Sequence, residues 1–137
     1  MNIGIIGLGL IGGSLAKAYK AAGHTVFAFD ADPSVTEFAK LEGTVDAALE
    51  NGNIGSCQLI LLALYPCDAI AFLEEQGALI SRETLVLDCC GTKRAVCAAG
   101  FAADQKNGFT FVGGHPMAGV QYSGYKYSRA NLLCGAP

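Results

Sequence analysis

Charged residues are scarce in this sequence, and they form no run of either sign. Only 15% of the 137 residues are charged, against 52% that are hydrophobic, so the composition is that of one packed domain and excludes a disordered chain. The nine Lys and Arg are scattered and the formal net charge is -3, which leaves no basic stripe for a polyanion. We therefore expect no nucleic-acid partner.

The N-terminal segment lacks the features of a targeting or membrane-spanning sequence. Residues 1–16 are mostly apolar, but no basic residue precedes Lys17 and glycines interrupt the segment. The segment is also shorter than the ~18 apolar residues that a spanning helix needs. These features predict a cytoplasmic protein with no membrane partner.

The cysteines form no CxxC pair and no spacing typical of zinc ligands. The six positions are Cys57, Cys67, Cys89, Cys90, Cys97 and Cys134. Most of them stand inside apolar segments, as reduced cysteines do when they pack as small hydrophobic side chains. A zinc site built on Cys89, Cys90 and His115 would still lack a fourth ligand. We predict free thiols and no metal.

Short apolar segments alternate with segments of helical periodicity along the whole chain. The predicted strands are 2–7, 25–29, a weak one at 44–46, 58–64, 84–88 and 109–112, and the predicted helices are 11–22, 33–43, 68–76 and 92–99. The run QLILLAL at 58–64 has no polar alternation, which is typical of a parallel strand covered on both faces. The alternation predicts one α/β domain with a doubly wound, mostly parallel sheet and helices on both faces.

A GxGxxG pattern stands where the first strand meets the first helix. In such a pattern Gly7 permits the tight turn, Gly9 lets a pyrophosphate approach the backbone, and Gly12 lets helix and strand pack closely. Asp30 follows 18 residues after Gly12, at the end of the second strand, where a carboxylate accepts hydrogen bonds from a ribose.

The GxGxxG pattern and Asp30 together predict a Rossmann-type NAD site over residues 1–137. NAD is favoured over NADP because Asp30 would repel a 2'-phosphate and no cation follows it. The alternative is a glycine turn that serves packing only, with Asp30 an ordinary loop residue. The predicted cofactor-binding residues are Gly7, Leu8, Gly9, Leu10, Ile11, Gly12, Asp30, Ala63 and Leu64.

His115 lies in a second glycine-rich stretch, FVGGHPMAGVQYSG, directly after the last predicted strand. This position places it at the same sheet edge as the cofactor. An imidazole exchanges protons near neutral pH, as the oxidation of a hydroxyl-bearing carbon requires. The alternative interpretation of His115 is a loop histidine that is hydrogen-bonded to backbone. The other histidine, His24, lies next to the helix-ending Gly23 and is interpreted as structural or solvated.

Three motifs together resemble one enzyme family. The stretches GLGLIGGSLAKA at 7–18, DCCGTK at 88–93 and GGHPMAGVQYSG at 113–124 are similar to the nucleotide-binding domain of prephenate, arogenate and cyclohexadienyl dehydrogenases. The resemblance implies an NAD-dependent oxidative decarboxylation of prephenate to 4-hydroxyphenylpyruvate in tyrosine biosynthesis. It also implies that His115 hydrogen-bonds the ring hydroxyl of the substrate while hydride leaves the ring.

Two positions depart from the family pattern. The family motif DxGSxK has a serine that falls on Gly91 here, so Thr92 is the candidate for the missing hydroxyl, with water as the alternative. A glutamate of the family falls on Gln121, which hydrogen-bonds without carrying charge. The predicted catalytic residues are His115, Thr92 and Gln121.

The family resemblance also implies parts that this chain lacks. Family members continue into a helical domain that forms a homodimer and supplies a cation for the substrate carboxylates, so the chain is expected to be truncated and weakly active alone. Lys93, Lys126 and Arg129 are candidates for partial substitutes.

Several functions remain open at the level of sequence. Arogenate is a second possible small-molecule substrate. A reductase of the β-hydroxyacid dehydrogenase or pyrroline-carboxylate reductase type would share the glycine pattern, although the stretch GGHPMAG is not expected in those families. A module that binds NAD without catalysis is also compatible with the glycine turn and Asp30.

Overall fold

Six parallel strands form one sheet in the computed structural model, which describes residues 1–136. The sheet order is β3-β2-β1-β4-β5-β6, and every neighbouring pair is parallel. The strands are β1 (Asn2–Ile6), β2 (Thr25–Phe29), β3 (Ala47–Ala48), β4 (Leu59–Leu62), β5 (Leu85–Asp88) and β6 (Thr110–Gly113). The order reverses between β1 and β4, which confirms the predicted doubly wound α/β fold and marks the edge where ligands bind in such sheets.

Four helices cover the two faces of the sheet. They are α1 (Leu10–Ala21), α2 (Pro33–Leu41), α3 (Pro66–Gln76) and α4 (Arg94–Asn107), with one-turn helices at Ile54–Ser56, Gly77–Leu79 and Tyr125–Tyr127. The predicted start of α2 is confirmed: the Asp32 carboxylate accepts a hydrogen bond of 3.0 Å from Ser34 N, and Pro33 occupies the first helical position.

The apolar run at β4 serves two cores at once. Ile60 and Leu62 pack in the core beneath α3 and α4, whereas Leu61 between them faces the core beneath α1 and α2. All three side chains are buried, and each contributes about 1.5–3 kcal/mol relative to an exposed side chain. This two-sided burial is why the strand shows no polar alternation.

The weak third strand was predicted a few residues too early. The N–H groups of Thr44 and Val45 both donate to the carbonyl of Ala39, so these residues close the end of α2. The first backbone hydrogen bond from this segment to β2 is that from Asp46 N to Val26 O at 2.8 Å, and the strand itself is Ala47–Ala48.

The prediction for the fourth helix was wrong at both ends, since α4 runs from Arg94 to Asn107 and not from 92 to 99. Gly100 does not end it: the ring of Phe111 packs where a Cβ of Gly100 would lie, which explains a glycine inside the helix. The helix ends instead at Gly108, whose φ is 87°. The predicted range of β2 agrees with the observed one, and the other predicted elements differ from the observed ones by at most two residues at either end.

Candidate active site

The turn between β1 and α1 requires glycine at two of its three motif positions. Gly7 has a φ of 91°, and a Cβ there would overlap the carbonyl oxygen of Ala63. A Cβ on Gly12 would overlap the carbonyl oxygen of Gly7. A Cβ on Gly9, by contrast, would have nothing within 4 Å. Two glycines thus permit close packing, and the third faces open space that a ligand can enter.

Helix α1 begins at this open position without a side-chain cap. Gly9 precedes the first helical residue, and the first helical hydrogen bond runs from Gly13 N to Gly9 O at 2.9 Å. The N–H groups of Leu10 and Ile11 in the first turn therefore have no partner within the helix. Such groups bind the phosphates of a dinucleotide.

The Asp30 carboxylate is fixed at the end of β2 by two backbone groups. Its Oδ2 accepts from Leu8 N at 2.7 Å, and its Oδ1 accepts from Asp32 N at 2.9 Å. Each oxygen keeps a lone pair for a ribose hydroxyl. Of the predicted cofactor-binding residues, Leu8 thus supplies its N–H to Asp30, and its side chain is buried in the core.

A cavity of about 860 Å³ opens at the carboxyl ends of the strands on either side of the order reversal. It is lined by Ile6, Phe29, Ala31, Ala48, Leu49, Glu50, Asn51, Gly52, Ile54, Leu64, Asp68, Ala71, Phe72, Glu75 and Gln76. Phe29 and Ala31, the two neighbours of Asp30, are among them. The lining is largely apolar, and its charged members are all acidic.

Ala63 and Leu64 both border the glycine turn, and Leu64 also lines this cavity. Ala63 N donates to Ile6 O at 2.8 Å, so the chain just beyond β4 stays beside β1. The Leu64 carbonyl accepts from Cys90 Sγ at 3.2 Å, and its side chain lines the cavity. The structure therefore brings the predicted cofactor-binding residues to one edge of the sheet.

His115 lies at this same edge, two residues beyond β6. Its exposed imidazole faces Gly91, where a Cβ would lie 3.5 Å from His115 Nε2. A side chain at position 91 would thus contact the imidazole. Thr92 is exposed, and its hydroxyl makes no hydrogen bond within residues 1–136.

A salt bridge beneath His115 connects β5 to the loop that carries the imidazole. The Lys93 ammonium donates both to the Asp88 carboxylate and to the carbonyl of Gly114, the residue before His115. Asp88 is fully buried, and its other oxygen accepts from Cys90 N at 2.7 Å. These two oxygens take two of the three N–H groups of the ammonium, and the role of Lys93 as a partial substitute stays a prediction.

Gln121 lies farther along the loop and lines a second cavity, of about 640 Å³. The other lining residues are Val120, Tyr122, Lys126, Tyr127 and Arg129. The structure thus brings Gln121 together with two of the three predicted cations.

The segment beyond Gln121 returns across α1, a contact that the sequence analysis missed. A Cβ on Gly13 would lie 2.8 Å from Tyr125 Cδ2 and 2.9 Å from Ser128 Cβ, so glycine is required there by packing. The Tyr125 hydroxyl donates to the Glu42 carboxylate, and Lys17 Nζ donates to Ser128 O at 3.1 Å. The second glycine of the Gly12-Gly13 pair was the available signal.

All six cysteines are free thiols. Burial raises the pKa of Cys57 to about 11, and burial together with the Asp88 carboxylate raises the pKa of Cys89 and of Cys90 to about 12, so these thiols stay protonated near neutral pH. Across residues 1–136, no three His, Cys, Asp or Glu side chains are placed to hold a metal ion together. In the same part of the chain, no helix has the length and apolar character needed to span a bilayer.

Comparison with known proteins identifies related sequences. The family model described as "Prephenate dehydrogenase, nucleotide-binding domain" matches residues 15–137. The prephenate dehydrogenase of Bacillus subtilis (strain 168) is 32% identical over 136 residues, an alignment that covers 94% of this chain and 36% of that protein.

Two solved structures share the fold over nearly the whole chain. Synechocystis arogenate dehydrogenase matches with a TM-score of 0.85 and 32% identity, over 100% of this chain and 48% of that one. The A. aeolicus prephenate dehydrogenase in complex with hydroxyphenyl propionate and NAD+ matches with a TM-score of 0.84 and 26% identity, over 99% and 48%. The chain therefore spans between a third and a half of the length of these relatives.

Proposed function

The chain belongs to the family of prephenate dehydrogenase nucleotide-binding domains, and we propose that it forms the NAD-binding part of an enzyme that converts prephenate to 4-hydroxyphenylpyruvate. The observation that carries the proposal is the position of His115: an exposed imidazole at the same sheet edge as the glycine turn, on a loop fixed by Lys93 and Asp88. The cysteines of the chain are free thiols, as is typical of proteins in the reducing cytoplasm, where we place the enzyme.

The residues of the glycine turn fit NAD. The open space at Gly9 and the uncapped start of α1 can accept the pyrophosphate. Asp30 can accept hydrogen bonds from the ribose hydroxyls, and the largely apolar cavity can hold the adenine ring. When bound, NAD supplies an oxidised nicotinamide that accepts a hydride.

Charge favours NAD over NADP at this site. Asp30 would face a 2'-phosphate bound in the proposed site, and Glu50, Asp68 and Glu75 line the cavity without any cation among the lining residues. Each carboxylate repels a phosphate dianion. We expect calorimetric titration to give tighter binding of NAD than of NADP, and Asp30→Ala to weaken NAD binding. Equal or tighter binding of NADP by the unsubstituted chain would contradict this assignment.

His115 acts on the substrate hydroxyl. As hydride leaves the ring carbon that carries the hydroxyl, positive charge develops on the hydroxyl oxygen, and an imidazole that accepts a hydrogen bond from this group stabilises it. The ring carboxylate then leaves as carbon dioxide, and the electron pair of the broken carbon–carbon bond makes the ring aromatic. The Lys93 salt bridge holds the loop so that the imidazole stays in reach of the reacting group.

Substitution of His115 tests this role. His24 offers a matched control because it lies at the end of β2 opposite to Asp30. Its Nδ1 is 3.3 Å from the N-terminal amine. We expect His115→Asn to lower kcat by ~10² to 10⁴ fold and to leave the Kd of NAD unchanged. His24→Asn should change neither. Turnover of His115→Asn within a few fold of the unsubstituted enzyme would remove His115 from the mechanism.

Arogenate is the second candidate substrate, because an arogenate dehydrogenase is among the structures most similar to this chain. Measuring NADH formation at 340 nm with each compound gives the two values of kcat/KM and decides between them. Because the relatives are two to three times longer, the assay is run on this chain alone and on any longer product of its reading frame. We expect the chain alone to bind NAD and to turn over slowly. Binding of NAD with no turnover in either form would favour the non-catalytic module.

A further inference from the structure

The loop that carries His115 has little support of its own. Residues 115–123, between β6 and the one-turn helix at Tyr125–Tyr127, form neither helix nor strand, and none of them is buried. Within residues 1–136, none of them forms a hydrogen bond through its backbone or its side chain. The position of the imidazole therefore depends on how the two ends of this loop are held.

The first end of the loop is held by β5. Gly114 N donates to the carbonyl of Asp88 at 2.9 Å, and the Lys93 ammonium donates to the carbonyl of Gly114. His115 is the next residue, so the backbone is fixed immediately before the imidazole. The nine residues that follow have to be fixed from the other end.

The second end of the loop is held by α1. Arg129 N donates to the hydroxyl of Ser14 at 3.0 Å, and Lys17 Nζ donates to the carbonyl of Ser128 at 3.1 Å. These two hydrogen bonds form the α1 anchor. Ser14 is 1% exposed, and Ser128 Oγ donates to Tyr125 O at 2.5 Å, which closes the anchored turn. The turn that ends the loop is therefore tied to the helix by buried or half-buried groups.

The anchored turn packs tightly against α1. A Cβ on Gly13 would lie 2.8 Å from Tyr125 Cδ2 and 2.9 Å from Ser128 Oγ, which is closer than such atoms approach. Ser14 and Lys17 are three residues apart and therefore lie on one face of the helix. The turn is in contact with this face and has no room to slide along it.

The anchor lies close to the start of α1. The helix begins at Leu10, so Ser14 is about one turn away from the N–H groups that face the open space at Gly9. One rigid helix thus borders the proposed pyrophosphate site at its first turn and holds the loop of His115 at its second.

We propose that Ser14 and Lys17 are positioning residues, which fix the loop of His115 relative to the bound dinucleotide. This inference rests on the proposed function for the role of His115. Hydride transfer needs the reacting atoms about 3–3.5 Å apart, and a displacement of ~1 Å can cost ~10² fold in rate. A loop held only at Gly114 would let the imidazole move by more than this.

Mobility of the loop tests the proposal without requiring turnover. We would measure ¹⁵N relaxation of the backbone amides of residues 115–123, with NAD present, in the unsubstituted chain, Ser14→Ala, Lys17→Met and the double variant. We expect order parameters near the rigid value of ~0.85 in the unsubstituted chain and a fall toward ~0.6 in the double variant. Each single variant should lie between them.

Steady-state kinetics of the same variants test the effect on the reaction, in the form of the enzyme that turns over fastest. We expect kcat to fall by about tenfold in each single variant and further in the double variant, because the imidazole is misplaced. The KM for NAD should not change, since the glycine turn is untouched. Lys17→Arg keeps a charged donor and should restore part of kcat.

Two matched controls separate positioning from stability. Thr84→Val removes another buried hydroxyl, which donates to Cys57 O at 2.7 Å before the start of β5. Lys20→Met removes another lysine contact of α1, the salt bridge to Asp46. Both should lower the temperature of unfolding about as much as the anchor variants do, and both should leave kcat and the order parameters of residues 115–123 unchanged.

Three results would overturn the proposal. One is a loop that is already mobile in the unsubstituted chain, and another is a double variant with unchanged order parameters. The third is a mobile loop in the double variant with an unchanged kcat, because the anchor then does not position His115. Lys17 is partly exposed, so Lys17→Met still supplies the test if Ser14→Ala does not fold.

The two measurements keep this inference apart from the proposed function. If the substitutions make the loop mobile but no form of the enzyme oxidises prephenate or arogenate, the proposed reaction fails and the α1 anchor of the loop stands. If turnover occurs and the double variant keeps both its kcat and its order parameters, the reaction stands and the positioning role of Ser14 and Lys17 is wrong.

Discussion

Gly91 faces the imidazole of His115, and a Cβ built on Gly91 would lie 3.5 Å from His115 Nε2. This is an ordinary van der Waals distance, so a small side chain fits at position 91 without displacing the histidine. The backbone of Gly91 also lies outside the left-handed region, and a residue with a Cβ is not strained there. The position at which the family pattern has a serine is therefore open to one in this chain.

We predict that Gly91→Ser raises kcat/KM. A serine hydroxyl placed on this Cβ can reach the imidazole and hold it toward the substrate oxygen. Gly91→Ala is the matched control, because it adds the Cβ without the hydroxyl. Steady-state rates of NADH formation for the two variants decide the question. If Gly91→Ser is no faster than Gly91→Ala, the hydroxyl has no role at this position, and Thr92 or water fills it instead.

The second prediction concerns the Lys93 salt bridge, whose effect on stability can be separated from its effect on activity by a double substitution. Lys93→Met leaves the fully buried Asp88 without its cation and should lower the free energy of unfolding by about 3 kcal/mol. The double variant Asp88→Asn with Lys93→Met removes both charges and should regain most of that loss. It should still have a reduced kcat, because the hydrogen bond from Lys93 to the Gly114 carbonyl is gone.

Thermal unfolding and steady-state kinetics together test the role of Lys93. Lys93→Arg keeps a charged donor and should rescue part of kcat, with little change in the KM for NAD in any of these variants. A double variant with the stability and the kcat of the unsubstituted enzyme would show that the salt bridge does not position His115.

The parts of the site that sequence predicted are those built from short stretches of chain. Gly7 has a left-handed φ in the turn between β1 and α1, and a Cβ on Gly12 would overlap the carbonyl oxygen of Gly7, so both requirements for glycine arise within one short stretch. Asp30 was predicted because a carboxylate at the end of β2 must lie beside that turn in a parallel sheet. The family was recognised from the same local motifs, and the comparisons confirm it.

The missed contacts join residues that are distant in the chain. Gly13 packs against Ser128, and Arg129 bonds to Ser14 across 115 positions, so neither contact has a local pattern. The salt bridge between Lys93 and Asp88 was missed for a different reason. Both residues lie in one short motif, but the direction of the lysine side chain depends on Gly114, 21 residues later. Long-range packing, which propensity and spacing do not encode, decides these cases.

The contact between Tyr125 and Glu42 predicts a dependence of stability on pH. Burial alone would raise the pKa of Glu42, but the hydrogen bonds from Tyr125 and Thr44 and the charge of Lys17 outweigh it and hold this pKa below its ordinary value. Burial and the neighbouring Glu42 raise the pKa of Tyr125, so the phenol remains a donor at neutral pH. A lowered folded-state pKa means that the contribution is present above the ordinary pKa of a glutamate and is lost as pH falls through the lowered value.

We therefore expect Glu42→Gln to be less stable than the unsubstituted chain at pH 7, by about 1 kcal/mol or less because Glu42 is partly exposed. The difference should shrink between pH 5 and pH 3 as Glu42 becomes protonated in the unsubstituted chain. Thermal unfolding followed by circular dichroism at a series of pH values measures it. Asp46, whose pKa is also lowered by Lys20 and Val26 N against the effect of burial, titrates in both proteins and cancels in the comparison. A difference that is equal at pH 7 and pH 3 would mean that the Glu42 charge does not stabilise this contact.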